Sequence, residues 1–374
     1  MSSVFWYNEN TMKNITKRDL VKNYILDEIR YGILKGGERL LSEEALVKRY
    51  GVSRVTVRSA LSELLKENFI FKEKGRKGYF VSPGKALKGK RLYKSIGILI
   101  HYSTEKSHPF MHRFLTSASL QCAEENIGHQ IFNLINNVKD NIFSDEISKI
   151  LNVMKEYPVD GLLINSRLCD ETLEKIEKIG IPVVLVNNFL PGSEIPHIIA
   201  GYRAVGNAVT HLWRIGHRRI GFITGPQDER IVHETIWDFQ ETCKRLALPY
   251  DISLIKEVAY DEGRLKKAIE EFLSVRPSPT ALVIDDDIMA CYAIGYLKEK
   301  GVKVPDDMGI VGMGGVEMGE FISPPLTTVS LPIEKAARIG VEMLAKLIKG
   351  ENLVKKFIHL KGELIVRKSC GSKK

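Results

Sequence analysis

"GVSRVTVRSALSELL", residues 51–65, decides how the first part of this chain is read. Gly51 interrupts an apolar period that precedes it, and Ser53 offers a side-chain oxygen to cap a new helix. Val57, Ala60, Leu61, Leu64 and Leu65 then recur at the three-to-four-residue spacing of one helical face. The opposite face carries Arg54, Val55, Arg58, Ser59 and Ser62. Two arginines four apart would ordinarily be a solvated face, so their meaning depends on what surrounds them.

Upstream, Val21, Tyr24, Ile25 and Ile29 mark a helix that stops before "GILKGGER" (32–39), where three glycines cluster. A second helix starts after Ser42, with Glu43 and Glu44 in the dipole-favoured first turn, and runs through Leu46 and Val47 to Tyr50. Helix, glycine turn, helix is the layout of a helix-turn-helix, whose second helix offers its N-terminal residues to base edges in the major groove. Downstream, Asn68 can take the left-handed conformation that stops a helix. "FIFKEKGRKGYFV" (69–81) follows and reads as two strands, Phe69 to Glu73 and Gly78 to Ser82. The tip between them holds Lys74, Gly75, Arg76 and Lys77, a basic wing suited to phosphates or a minor groove.

Charge supports the same interpretation. The chain has 374 residues and a net charge of +9. Residues 1–94 contain 21 Lys and Arg against 10 Asp and Glu, which leaves 34 against 36 of the chain's 55 and 46 for the remaining 280 residues. All of the excess positive charge therefore lies in the first quarter, as expected of a small polyanion-binding module joined to a near-neutral body.

Over residues 17–82 the sequence resembles the DNA-binding domain of the GntR family of bacterial transcription regulators. The matching segments are "GERLLSEEAL" (37–46), "YGVSRVTVRSAL" (50–61) and "GRKGYFV" (75–81). The resemblance implies DNA contacts from Glu43, Arg54, Thr56 and Arg58, with Ser53 and Val55 beside them, and from Lys74 and Gly75 with Arg76 and Lys77 in the wing. Leu41 stands in place of the usual proline and Asn68 in place of the usual glycine; neither removes a DNA contact.

Residues 83–95, "PGKALKGKRLYKS", mix Pro, Gly and five cations with little apolar content and read as a basic linker. "GKALKGK" (84–90) mimics a phosphate-binding loop, but Arg91 follows where Ser or Thr belongs. From Ile96 onward, short apolar runs such as "DGLLIN", "IPVVLVN", "TALVIDD" and "MGIVGM" alternate with amphipathic stretches. That pattern predicts parallel strands in a two-lobed α/β domain over 96–374, with a ligand crevice at the strands' C-terminal ends. Residues 1–16 form an N-terminal extension. It lacks the features of a signal peptide, no apolar run approaches membrane-spanning length, and the protein is expected in the cytoplasm with no membrane partner.

Enzymatic and cofactor motifs fail on inspection. "GMGGVEMG" (312–319) has Glu317 where a dinucleotide fingerprint needs its third glycine, and no G-x-S-x-G occurs. His101, His108 and His112 lack metal-ligand spacing, and the five cysteines include no C-x-x-C pair. The expectation is a protein that is not an enzyme and needs no cofactor or metal.

The body resembles the effector domain of the LacI/GalR family, related to periplasmic sugar-binding proteins. The match runs in order through "VDGLLI" (159–164), "GIPVVLVN" (180–187), "HLWRIGHRRIGFITG" (211–225), "PTALVIDDDIMA" (279–290), "GVKVPDDMGIVG" (301–312), "SPPLTTV" (323–329) and "LIVRKS" (364–369). Joined to a GntR-type winged helix, this is the arrangement of arabinose-repressor-type regulators. The resemblance implies a homodimeric, operator-binding repressor controlled by a small, sugar-related effector between two lobes.

For the pocket, the resemblance points to Phe110, Asn165, Asn187, Tyr260, Asp287 and Asp286, which replaces an asparagine. Three family positions are altered: an arginine is Thr235, an aspartate is Ala200, and an Asp-Asp pair is Gly314-Gly315. His101, Arg167, Arg230 and Asp286 are the candidates to compensate. The same losses support a second reading, a dimeric DNA binder whose degenerate sensor takes no small molecule.

Overall fold

The computed structural model of the chain describes residues 16–30, 34–73, 75–83, 94–101, 109–134, 159–166, 168, 170–178, 180–225 and 230–371. Lys74, His108, Arg167, the segment 84–90 and the side chain of His101 lie outside the described residues. The chain divides into two compact units, one chiefly of residues up to Lys94 and the other from Ser95 onward.

The first unit packs three helices, α1 (Lys17–Arg30), α2 (Glu43–Tyr50) and α3 (Arg54–Lys66), against a hairpin of β1 (Ile70–Phe71) and β2 (Phe80–Val81). Val21 and Ile25 of α1, Leu46 of α2, and Val57, Leu61 and Leu64 of α3 are its buried core; Leu65 is only half-buried. Ser42 and Ser53 cap α2 and α3, each side chain accepting a backbone N–H three residues on. Gly51 closes α2 at φ 64°, a left-handed conformation that costs a glycine little. Asn68 takes the same region at φ 58° after α3. The wing strands are shorter than predicted: only Ile70↔Val81 and Phe71↔Phe80 pair. Beyond them Gly75 and Gly78, at φ 91° and 114°, turn the chain out of strand geometry.

The second unit is two lobes, each a six-stranded sheet. In chain order its elements begin with β3 (Ser95–His101), α4 (Pro109–Glu124), β4 (Gly128–Leu134), β5 (Gly161–Asn165), α5 (Asp170–Glu177), β6 (Val183–Val186), β7 (His197–Tyr202) and α6 (Ala204–Arg214). They continue with β8 (Ile220–Thr224), α7 (Arg230–Arg245), β9 (Ile255–Glu257), α8 (Glu262–Ser274), β10 (Ala281–Ile284), α9 (Asp287–Glu299), β11 (Gly309–Gly314) and α10 (Met318–Phe321). The last are β12 (Thr327–Ser330), α11 (Ile333–Lys349), β13 (Phe357–Lys361) and β14 (Glu363–Ile365).

The first lobe has strand order β13-β7-β6-β5-β3-β4 and the second β14-β12-β11-β10-β8-β9. Among the described pairings of these sheets, β12 with β14 is the antiparallel one. Every residue of β5, β6, β8, β10 and β11 is buried, which is why those strands read as unbroken apolar runs. The chain crosses between lobes three times: from β7 to α6, from β12 to α11, and from β13 to β14. Among the described residues, no helix is long and apolar enough to cross a membrane.

Candidate functional site

On α3 the buried stripe fixes which way the helix faces, and so leaves Arg54, Val55 and Arg58 outward; Val55 is 78% exposed. Both arginines are held from α2. Arg54 Nη2 donates to Glu44, and Arg58 Nε donates to Glu43 at 2.7 Å. Thr56 sits in the capping turn, its N–H donating to Ser53 Oγ at 3.1 Å. In the wing, Arg76 pairs with Glu73 at 2.7 Å and lies 4.6 Å over the Phe80 ring, beside exposed Lys77 and Gly75. Exposed ion pairs of this kind are worth about 0–1 kcal/mol, so they orient the guanidinium groups without removing them from competition by phosphate or base. Glu43 was a sequence candidate; Glu44 was missed, because its role depends on the angle between two helices and carries no motif.

In the body, most effector candidates stand near the C-terminal ends of strands, and many are already engaged. Asp287 is fully buried and accepts the Val316 N–H and the Thr328 hydroxyl, each at 2.7 Å. Burial pushes its carboxyl up to about 6. Asp286 caps α9 by accepting the Met289 N–H, and Asn187 Oδ1 accepts the Ala200 N–H, both at 2.8 Å. Asn165 ends β5 buried against Met111, with 3.8 Å between Nδ2 and Sδ. Tyr260, at φ 57°, lays its hydroxyl so close to Gly225 that a Cβ there would stand 2.4 Å away. Phe110 lies half-buried in the first turn of α4, and Thr235 of α7 turns its hydroxyl back to the Val232 carbonyl at 2.9 Å.

Gly314 reveals a contact that the sequence reading missed. Arg113 of α4, in the first lobe, donates from Nη1 to the Gly314 carbonyl in the second at 2.9 Å. Its Nη2 donates to Glu334 at the start of α11 at 2.9 Å. Arg230, at the start of α7, likewise reaches across to Asp170 of α5. Arg113 and Arg230 thus each tie one lobe to the other.

Between the lobes, beside the crossover from β7 to α6, lies a cavity of about 340 Å³. Thr235 lines it, together with Tyr202, Arg203, Trp237, His197 and His359; none of the other described effector candidates does. The cavity residues were not legible because the pairing of β13 with β7 brings His359 near His197 across more than 150 residues of chain. Among the described residues, no group of His, Cys, Asp and Glu is arranged to hold a metal ion.

Residues 17–81 match the family described as bacterial regulatory proteins, gntR family, and residues 209–370 match the periplasmic binding protein-like domain. The HTH-type transcriptional repressor PurR of Aliivibrio salmonicida (strain LFI1238) is 30% identical over 282 residues, covering 74% of this chain and 81% of that protein. The chain belongs to the LacI family of transcription regulators. This regulator carries a gntR-type helix-turn-helix ahead of its LacI-type body, and like its relatives it is not an enzyme. The HTH-type transcriptional repressor CytR of Escherichia coli (strain K12) is 31% identical over 214 residues, 56% of the regulator and 62% of CytR. The fold is shared with a periplasmic binding protein/LacI transcriptional regulator from Alkaliphilus metalliredigens QYMF complexed with D-xylulofuranose. The TM-score there is 0.62 at 23% identity, over 74% of this chain and 99% of that one.

Proposed function

We propose that this regulator is a dimeric repressor that acts on chromosomal DNA in the cytoplasm. Residues 17–82 of each copy read one operator half-site, 83–95 serve as a basic linker, and 96–374 bind a small, sugar-related effector and dimerise. The observation that carries this is the outward face of α3, where Arg54 and Arg58 stand one helical turn apart, each steadied by a carboxylate of α2. That is the placement base-edge recognition needs, with Ser53, Val55 and Thr56 beside it. Lys74, Gly75, Arg76 and Lys77 are assigned to the phosphates or minor groove next to the helix.

Dimerisation is supported by apolar side chains left exposed on both lobes: Leu120 of α4, Ile131 of β4, Tyr292 of α9, and Met318 and Phe321 of α10, the last 84% exposed. A sugar-related effector is favoured by the fold shared with a regulator solved in complex with D-xylulofuranose. Lobes joined by three crossovers can change their mutual angle when a ligand bridges them, and a coupling of about 1–3 kcal/mol to DNA affinity is the expected size.

The test is operator affinity at fixed salt. Arg58→Ala is expected to raise Kd by about 5- to 150-fold, the equivalent of ~1–3 kcal/mol, and to relax preference at one base position. An unchanged Kd would remove α3 from the reading role.

A further inference from the structure

The three arginines assigned to DNA share a feature that the lysines beside them lack. Arg54, Arg58 and Arg76 are all exposed, and each is paired with a carboxylate: Glu44, Glu43 and Glu73 respectively. Lys72 and Lys77, exposed on the wing, take no carboxylate among the described residues; Lys72 instead lies 4.7 Å over the Tyr79 ring. Three of the ten acidic residues in 1–94 therefore stand on the face that must meet a polyanion. Glu44 stands furthest into solvent, its side chain 73% exposed against 28% for Glu43 and 45% for Glu73. An ion pair so exposed adds little to stability. For attraction to phosphate it is a handicap, because it sets a negative charge beside the cation that would bind.

We infer that Glu44 sets the selectivity of Arg54 for base edges over phosphates, and that Glu73 does the same for Arg76 in the wing. Phosphate and base both compete for a guanidinium held in so weak a pair, but not on equal terms. A phosphate brings a full negative charge, so it must sit against Glu44 or displace it. Guanine O6 and N7 are uncharged acceptors; they take the N–H groups of Arg54 that Glu44 does not use, with no repulsion of the carboxylate. Attraction to any duplex is then left to Lys72 and Lys77, whose ammonium groups are compact point charges. A regulator built this way binds random DNA less tightly and loses less of itself to competing sites. The inference rests on the DNA-reading role of α3 proposed above and makes Glu44, acting through Arg54, a positioning residue for it.

The test uses the full-length protein, the duplex it enriches from a random pool, and an unenriched duplex of the same length. Glu44→Gln is expected to bind the unenriched duplex about three- to fivefold more tightly, with a salt dependence steeper by about one unit of log Kd per log salt per copy. Its preference for the enriched duplex should fall by a similar factor, at the base position that Arg54→Ala also affects. Both changes should vanish in the Arg54→Ala background, because Glu44 acts through that side chain. Glu67→Gln removes a carboxylate paired with Lys22 at the other end of α3, the same change of charge, and should keep the preference. Lys72→Ala should weaken both duplexes alike and reduce the salt slope by about one. An unchanged preference in Glu44→Gln, a change matched by Glu67→Gln, or one that persists without Arg54 would overturn the inference and leave the DNA-reading role intact. Equal weakening on both duplexes would make Glu44 a brace for the fold and overturn it as well. If the wild type enriches no sequence, the reading role and this inference fall together. Glu73→Gln, on a different element, repeats the test if Glu44→Gln does not fold.

Discussion

Asp287 shows how one carboxylate can be structural and titratable at once. Its carboxyl is raised by burial to about 6, against 3.8 in an unfolded chain. Between those values the folded protein keeps a proton that the unfolded chain has released, so this group makes stability fall as pH rises from about 4 to about 6. The full effect is about 3 kcal/mol. Asp287→Asn keeps the size and the acceptor for the Val316 N–H, and the Thr328 hydroxyl can turn to accept from the amide. Melting temperatures of the two proteins, measured from pH 4 to 7, should converge at the acid end and separate toward neutrality, with the asparagine variant gaining relative to wild type. Parallel curves would mean that the group does not titrate in this window.

At the scale of elements, much of the architecture could be read because burial shapes composition. Helices α2 and α3 announced themselves through serine caps and one-sided apolar stripes, and the inner strands through unbroken apolar runs. The wing was overextended because alternation in "FIFKEKGRKGYFV" gives no sign of where Gly75 and Gly78 turn the chain away. The cavity between the lobes was harder to read. Most family positions pointed to strand ends; among the described candidates Thr235 of α7 lines the cavity, which also depends on the β7–β13 register and on Trp237. His217 fastens the turn between α6 and β8: its Nδ1 pairs with Thr280 Oγ1 at 2.9 Å and its Nε2 faces the Cys370 carbonyl at 3.2 Å.

The Gly314-Gly315 turn after β11 also belongs at this scale. Gly315 has φ 71°, and a Cβ there would come within 2.5 Å of Ser330 Oγ and 2.9 Å of the Ser330 backbone. An aspartate pair could not be accommodated without moving β12. Gly315→Ala is therefore expected to cost about 1–3 kcal/mol, read as a lower denaturant midpoint at unchanged m-value. An unchanged midpoint would show that the turn relaxes freely.

For the whole molecule, Arg113 and Arg230 tie one lobe to the other. Arg113 bonds the Gly314 carbonyl across the cleft while anchored to Glu334, and hydrogen bonds from a charged donor are worth about 1.5–3 kcal/mol. Arg113→Ala should shift the unliganded protein toward open lobes, seen as a larger radius of gyration in solution scattering. Identical scattering would mean that the tie does not set the lobe angle.

The most direct test of the account is selection of binding sites from a random duplex pool by the full-length protein at near-physiological salt. The account predicts enrichment of one sequence with two-fold symmetric half-sites, and loss of preference at a defined base position in each half-site for Arg58→Ala. Recovery of no preferred sequence, or of the same sequence by both proteins, would contradict it.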